Sequence, residues 1–301
     1  MLNSPSRVVS FWPAGRNSDE AATTGIVKRR KQVEPADELL RILSLLTDFG
    51  LTDPFVAEMK ASVLSICPEV RIVDITHQVE KFNVGMGSFL LACAAPNFPT
   101  GTVHVAVVDP GVGSERRPIL VEGRRSFFVG PDNGLLIPAA QSDGILHVYE
   151  LTNKALMSPR VSATFHGRDI FAPVAAHVAC GTAPKDCGRQ ISDYVEAAFS
   201  EPTVETGRVI AEVIHVDSFG NIVTNLKREH IKNVAFGERI ALSVGHHKIS
   251  ARYIGSYSDL RGTELGFLVG SHGYVEIACR EGNAAKRVAA RSGVAVRVVG
   301  V

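Results

Sequence analysis

The chain has 301 residues, of which 45% are hydrophobic, and a formal net charge of +1 at pH 7. This length suits one large or two medium domains with substantial apolar cores. The near-neutral charge disfavours a nucleic-acid-binding protein, because phosphate recognition requires clustered positive charge. The dense basic run from Lys28 to Lys31 has little apolar periodicity around it and is interpreted as part of a solvated tail.

The five cysteines are scattered, and no two of them form a C-x-x-C pair. This spacing fits neither a disulfide framework nor a zinc site, so we expect reduced thiols, no metal and a cytoplasmic protein. No apolar run reaches the ~18 residues of a membrane helix. Residues 1–38 lack the apolar core of a secretory signal. A cleaved organellar presequence is an alternative there, but Asp19 and Glu20 favour a disordered extension.

Residues 39–200 alternate short apolar runs with amphipathic segments, which predicts an α/β domain with a mostly parallel, Rossmann-like sheet. Asp53 is expected to cap a helix whose first residue is Pro54. Predicted strands, in chain order, lie at 42–46, 71–75, 102–108, 119–122, 127–129 and 146–151. Further helices are predicted at 84–95 and 170–180.

The pattern changes near Glu201, where we place the boundary of a second domain at 201–301. Short alternating segments separated by turn residues predict a small, mostly antiparallel β domain. Its strands are predicted at 208–216, 239–244, 248–254, 266–269, 274–278 and 294–299.

Acidic residues lie at the carboxyl ends of three of the predicted parallel strands: Asp48, Asp74 and Asp109. Ligands of open α/β sheets bind beyond the carboxyl ends of the strands, so these groups predict one polar pocket. The loop after Asp109 is not a dinucleotide-phosphate loop, because Arg116 stands where G-x-G-x-x-G needs its third glycine. Asp48 is placed to accept hydrogen bonds from a ribose diol, although capping a turn is an equally good interpretation.

Three further clusters could carry chemistry. His166 and Gly167 precede a predicted helix, and Gly167 would allow a ligand close to the backbone. The segment from Asp217 to Asn221 fits an ordinary turn, yet the amide of Asn221 could recognise a purine edge. The segment from Gly270 to Tyr274 also fits a turn. The pair His246–His247 has no carboxylate partner at metal spacing, so we expect no metal there.

Taken together, these motifs make the chain similar to the S-adenosylmethionine hydrolase family (SAM hydroxide adenosyltransferases), which is related to fluorinase and chlorinase. The resemblance runs from about Leu43 to Val299. The motifs that carry it are LLTDFG, DPFVAEMK, VDITHQV, VDPGVGSERR, GPDNGLL, TFHGRDIFAPVAA, DSFGNIVTN and GSHGYVEIA.

The resemblance implies an N-terminal α/β domain, a C-terminal β-barrel-like domain, and a homotrimer with active sites between subunits. S-adenosylmethionine would be the substrate and partner, without a further cofactor. Asp109, Arg116 and His166 match the family's catalytic set. Substrate binding is implied for eight residues, namely Asp48, Phe82, Gly167, Asp217, Asn221, Tyr257, Ser271 and His272.

Among these, Asp48 would bind the ribose diol and Asn221 the adenine, assisted by the backbone near 281–284. Asp217 and Ser271 would hold the methionine amine and carboxylate. The implied reaction is attack of water on C5′, giving adenosine and methionine.

Two alternatives stay open from the sequence. A halide-using enzyme of the same fold is disfavoured, because Gly167 replaces the serine of fluorinase and halide enzymes lack the Asp109–Arg116 pair. A non-catalytic adenosine- or S-adenosylmethionine-binding module would have no use for Asp109, Arg116 and His166 together.

Overall fold

The computed structural model describes residues 41–196 and 201–300. The predicted extension at 1–38 lies outside the described residues, and so do residues 197–200 next to the predicted domain boundary. That boundary therefore stays a prediction. Within the described ranges, every helix is too short or too polar to span a lipid bilayer.

The first sheet has seven strands: Ile42–Thr47 (β1), Arg71–Thr76 (β2), Val103–Val107 (β3), Pro118–Gly123 (β4), Phe127–Pro131 (β5), Ile145–Leu151 (β6) and Gly188–Ile191 (β7). Their spatial order is β2-β1-β3-β5-β4-β6-β7. β1 pairs in parallel with both β2 and β3, and β3 pairs in parallel with β5. The pairs β5–β4, β4–β6 and β6–β7 are antiparallel. The predicted mostly parallel α/β sheet is confirmed.

Helices cover both faces of this sheet: Phe55–Ile66 (α1), Val84–Ala94 (α2), Ile137–Asp143 (α3) and Ala172–Ala179 (α4). Alternate side chains of β1 point to opposite faces. Leu43 and Leu45 pack in the cluster that contains α1 and α4, while Leu46 packs with α2 and α3. Burial on both faces explains why β1 is almost continuously apolar.

The start of α1 differs from the prediction. Asp53 does not cap this helix: Pro54 occupies the N-cap position and no side-chain cap bond is made. The carbonyl of Pro54 already accepts the first helical hydrogen bond, from the Glu58 amide at 2.9 Å. The helix therefore begins one residue later than the proline rule indicates, and this leaves Asp53 outside the capping position.

The second sheet contains eight strands: Thr203–Glu205 (β8), Arg208–Val216 (β9), Ile222–Lys227 (β10), Arg239–Val244 (β11), His247–Tyr253 (β12), Leu265–Val269 (β13), Tyr274–Cys279 (β14) and Ala295–Val299 (β15). β9 pairs with both β10 and β15, which closes seven strands into a barrel and leaves β8 outside. The predicted barrel-like domain is confirmed. β12 and β13 pair in parallel, so the barrel is mixed rather than purely antiparallel.

Several elements were not predicted. α3 spans seven residues, too few to show a helical period. β10 carries buried Thr224 and Asn225 in a largely buried strand, which hides its apolar pattern. β7 is a four-residue, largely polar strand at the edge of the first sheet. Each of these elements is defined by its neighbours more than by its own composition.

A disulfide joins Cys67 to Cys180, with 6.0 Å between their Cα atoms. The expectation of reduced thiols is wrong for this pair. Cys67 follows α1 and Cys180 follows α4, and the two helices end side by side, which spacing along the chain could not show. Cys93 and Cys187 carry free thiols, and burial raises their pKa to about 12 and about 11.

Removing this disulfide should lower stability without changing the fold. The bond closes a loop with a sequence separation of 113 residues, and loss of a native disulfide typically costs about 2–5 kcal/mol. Cys67→Ser/Cys180→Ser should therefore unfold at a lower urea concentration than the parent. Cys187→Ser, which removes a free thiol, serves as the control for changing a buried cysteine. Equal urea midpoints for the parent with and without reductant would contradict the expectation.

Candidate active site

A cavity of about 340 Å³ opens at the carboxyl ends of the parallel strands. Asp48 directly follows β1, and Asp109 lies two residues after β3. Both line the cavity, together with His166 and Gly167 from the turn before α4. The third strand-end acid, Asp74, does not line it and instead forms an ion pair with Lys60 at 2.6 Å. Two of the three expected acids thus share one pocket.

Asp109, Arg116 and His166 form one connected network. Nε of Arg116 donates to the two Asp109 carboxylate oxygens at 2.9 and 3.1 Å, and Nη2 donates to Oδ2 as well. The same Nη2 lies 2.9 Å from Nδ1 of His166. The side chains of Arg116 and Asp109 are only 10% and 5% exposed. Arg116 is not among the lining residues, so it holds the other two from behind the cavity wall.

The contact with Arg116 fixes the protonation of His166. A guanidinium has donors and no acceptor, so Nδ1 of His166 must accept, and the neutral ring carries its proton on Nε2. Burial, and then the positive charge of Arg116, lower the pKa of His166, while Asp109 and Asp169 act in the opposite sense. His166 is therefore a neutral hydrogen-bond donor through Nε2 near neutral pH.

Asp48 is bound to the loop between β2 and α2. Its Oδ2 accepts from the amide of Phe82 at 2.9 Å, and its carbonyl accepts from Nζ of Lys81 at 2.5 Å. Phe82 has a φ of 64°, a conformation that bulky residues rarely adopt, and is 70% exposed at the cavity edge. The carboxylate of Asp48 thus holds a strained loop in place and keeps Oδ1 for another donor.

Aromatic rings form the apolar wall. Phe49, Phe55 and Phe165 contact each other edge to face, with ring centroids 5.3–5.9 Å apart. A Cβ on Gly167 would meet the sulfur of Met59 at 3.2 Å and the Phe165 ring at 3.3 Å. A larger residue at position 167 would therefore press against α1 and the aromatic wall. Gly167 also lines the cavity.

A second cavity, of about 780 Å³, lies on the barrel. Its lining includes Asp217, Asn221 and Tyr257, with the segment Cys279–Asn283. The predicted backbone contribution near 281–284 thus lies beside the predicted adenine-binding residue. No described residue lines both cavities, so the predicted site residues that line a cavity fall into two separate sets within one chain.

Asp217 shapes its own turn. Its Oδ1 accepts from the amides of Phe219 and Asn221 at 2.9 and 2.8 Å, and its Oδ2 accepts from Nδ2 of Asn221 at 2.8 Å. The turn interpretation of this segment therefore holds. The bond to Asp217 also orients the Asn221 amide and leaves its oxygen free to accept a hydrogen bond.

Ser271 and His272 lie apart from both cavity linings. They occupy an exposed turn between β13 and β14, and Oγ of Ser271 is 3.4 Å from Nδ1 of His272. Tyr257, by contrast, lines the barrel cavity, and its hydroxyl donates to Oε2 of Glu276 at 2.6 Å.

Sequence reasoning missed Lys81, the wall residues Phe49, Phe55 and Phe165, and buried Glu276. Phe49 and Phe165 adjoin the predicted site residues Asp48 and His166, which was an available signal. Glu276 lies within an apolar strand, and nothing in the local pattern marks it as a partner of Tyr257. Across the described ranges, no group of three or more His, Cys, Asp or Glu side chains could hold a metal.

Comparison with known proteins identifies the family. Residues 43–188 match the SAM hydroxide adenosyltransferase N-terminal domain, and residues 211–297 match the C-terminal domain. The chain is 39% identical over 259 residues to the (R)-S-adenosyl-L-methionine hydrolase of Salinispora arenicola, covering 85% of this chain and 97% of that protein. It is 28% identical over 228 residues to a fluorinase from Actinoplanes sp., covering 67% of this chain and 76% of that enzyme.

A crystal structure of an uncharacterized conserved protein from Thermotoga maritima superimposes with a TM-score of 0.81. That protein is 37% identical in sequence, and the match covers 85% of this chain and 99% of the other. The first family model spans most of the seven-stranded sheet, and the second spans most of the barrel. The chain belongs to the SAM hydroxide adenosyltransferase family.

Proposed function

We propose that the protein hydrolyses S-adenosylmethionine to adenosine and L-methionine. The observation that carries the proposal is the part-buried Asp109–Arg116–His166 network, in which Asp109 and His166 line the same cavity as Asp48. The hydrolase name of relatives 33–39% identical to this chain supports the same reaction. Those relatives are named for the (R) form of the substrate, so both sulfonium epimers belong in the assay.

The reaction is a displacement at carbon. The oxygen of water bonds to C5′ while the C5′–S bond breaks, and its electron pair stays on sulfur. The positive sulfonium becomes the neutral thioether of methionine, so the leaving group needs no proton. The difficult part is the weak nucleophile, which must be placed in line with the C5′–S bond and lose a proton.

Asp109 is the group that accepts this proton in our proposal. Asp109 lines the cavity, and general-base catalysis typically contributes a factor of about 10²–10⁴. His166 orients the water by donating through Nε2, since its Nδ1 is occupied by Arg116. Arg116, which does not line the cavity, acts by holding Asp109 and His166 in position.

The proposed substrate-binding roles differ between the residues of the two cavities. Asp48 would bind the ribose diol, next to Phe82 and Gly167 in the first cavity. Asn221 would bind adenine beside Tyr257 in the barrel cavity. Asp217 and Ser271, with neighbouring His272, would hold the methionine end. No cofactor enters this scheme, and the cytoplasmic location stays a prediction.

We propose further that the complete site forms between subunits of a homotrimer. The residues proposed to bind the ribose and those proposed to bind the adenine line separate cavities of one chain. Exposed apolar side chains stand at both: Phe82 is 70% exposed at the first, and Phe219 is 78% exposed at the second. Bringing the first cavity of one copy against the barrel cavity of another would cover these rings and place the two sets of binding residues in one site.

Mixing two inactive variants tests this assembly. Asp109→Asn damages the first cavity, and Asn221→Ala damages the barrel cavity. If the site spans two subunits, coexpressed mixed oligomers regain activity, because some interfaces pair two undamaged halves. Two differently tagged chains allow purification of the mixed species, and sedimentation gives its mass. A monomer, or mixed oligomers as inactive as either variant, would contradict the trimeric site.

Labelled water tests the reaction itself. The purified protein is incubated with each epimer of S-adenosylmethionine in ¹⁸O-water, with and without chloride or fluoride, and the products are analysed by mass spectrometry. We expect adenosine carrying one ¹⁸O at C5′, with methionine in equal amount and no dependence on halide. A 5′-halogenated adenosine would favour the activity of the fluorinase relatives, while bound but unchanged substrate would favour a binding module.

A further inference from the structure

Glu276 is a buried acid that the proposed reaction leaves without a role. It lies in β14, within an otherwise apolar strand, and the residue is 9% exposed. A carboxylate is costly to bury unless hydrogen bonds compensate it. The contacts of the two carboxylate oxygens therefore indicate the role of Glu276.

One carboxylate oxygen holds Tyr257. Oε2 accepts from the Tyr257 hydroxyl at 2.6 Å, and the Tyr257 ring lines the barrel cavity. Tyr257 begins a single 3₁₀ turn, Tyr257–Asp259, in the connection between β12 and β13. Burial, and then the bond to Glu276, raise the pKa of Tyr257, so its hydroxyl stays protonated and remains a donor.

The other carboxylate oxygen lies against Gly270. A Cβ on Gly270 would come 1.9 Å from Oε1 of Glu276, which no real contact permits. Gly270 opens the turn that carries Ser271, and its amide donates to the Tyr274 carbonyl at 2.8 Å. Glu276 is thus enclosed between the Tyr257 turn and the turn between β13 and β14.

We infer that Glu276 is a positioning residue, which fixes the Tyr257 ring as a wall of the barrel cavity against the bound nucleoside. The inference rests on the proposed function. The hydrogen bond ties the far end of Tyr257 to the barrel, so an otherwise half-exposed ring on a short turn takes one orientation. This hydrogen bond also uses the single hydrogen of the Tyr257 hydroxyl. Tyr257 therefore offers the ligand its ring and an acceptor oxygen.

Kinetics of three single variants test the role. Glu276→Ala and Tyr257→Phe each remove the hydrogen bond, and each should raise KM for S-adenosylmethionine about tenfold while kcat changes little, because hydrogen bonds to charged groups contribute at this level. Glu276→Gln keeps an acceptor for the tyrosine and should restore most of the affinity. A purely structural role would instead lower the melting temperature in all variants and leave KM unchanged.

Gly270→Ala adds an independent test from the opposite side of the carboxylate. Alone, it should raise KM, because the new methyl group displaces Oε1. In a Glu276→Ala background the same change should have almost no further effect, since the clashing atom is gone. Residues that act through one shared group give such non-additive effects.

The outcomes separate the two proposals. An active parent whose KM is unchanged by Glu276→Ala and by Tyr257→Phe, or fully additive effects of Gly270→Ala and Glu276→Ala, would overturn the role of Glu276 alone. A parent that neither binds nor hydrolyses S-adenosylmethionine would overturn both this inference and the proposed function.

Discussion

Replacing Asp109 by asparagine is expected to lower kcat by a factor of about 10²–10⁴, the usual contribution of a general base. Asparagine has nearly the same shape and can still accept from Arg116, but it cannot take a proton from water. Ligand binding should change little, because Asp48 and the aromatic wall are untouched. Single-turnover kinetics give the rate of the chemical step, and calorimetric titration with adenosine gives the affinity.

Asp132→Asn is the matched control. Asp132 pairs with Arg117 at 2.8 Å and its side chain is 3% exposed, but it lines neither cavity. The Arg117 side chain is 24% exposed and also pairs with Asp193. Removing one charge of a buried ion pair destabilises a protein, by up to about 3–5 kcal/mol where the partner is left unpaired. Both variants should therefore lose stability, while only Asp109→Asn loses turnover. Equal kcat values for Asp109→Asn and the parent would refute the assignment of Asp109 as the base.

Replacing Asp48 by alanine is expected to have the largest effect on affinity. A carboxylate that accepts from both ribose hydroxyls makes two charge-assisted bonds, each contributing about 1.5–3 kcal/mol. The Kd for adenosine should therefore rise at least about 10²-fold. The variant also removes the acceptor for the Phe82 amide, so part of the loss would come from the loop.

Lys81→Met separates these two contributions. Lys81 fastens the same loop to the Asp48 carbonyl, so its replacement loosens the loop and leaves the carboxylate in place. Titration calorimetry should give a much smaller rise in Kd for Lys81→Met than for Asp48→Ala. Similar values for the two variants would mean that Asp48 acts by holding the loop and does not bind the ribose.

Sequence patterns predicted β1 and β3 of the first sheet well, because both strands are buried along their whole length and are mainly apolar. The same logic placed Asp48 and Asp109 at neighbouring strand ends, and the structure puts both in one cavity. It failed for Asp74, whose strand is the outermost in the sheet. There the carboxylate is close enough to α1 to pair with Lys60 instead.

The properties that sequence could not predict depend on contacts between distant segments. The bond from Arg116 to Nδ1 of His166 spans 50 residues, and it decides that His166 donates rather than accepts. Tyr257 was expected at the ligand from family resemblance, but its partner Glu276 becomes visible only when the barrel closes. The disulfide between Cys67 and Cys180 depends in the same way on two helix ends that meet only after folding.

That disulfide also determines how the chain responds to cleavage. Asp109, Arg116 and His166 all lie between the two bonded cysteines, so the reactive network sits inside one covalent ring. A protease that cuts once within 68–179 opens the ring but releases no fragment, and the two pieces separate on a denaturing gel only after reduction. The ring also cannot close during synthesis until residue 180 has been added, by which point the whole network has been made.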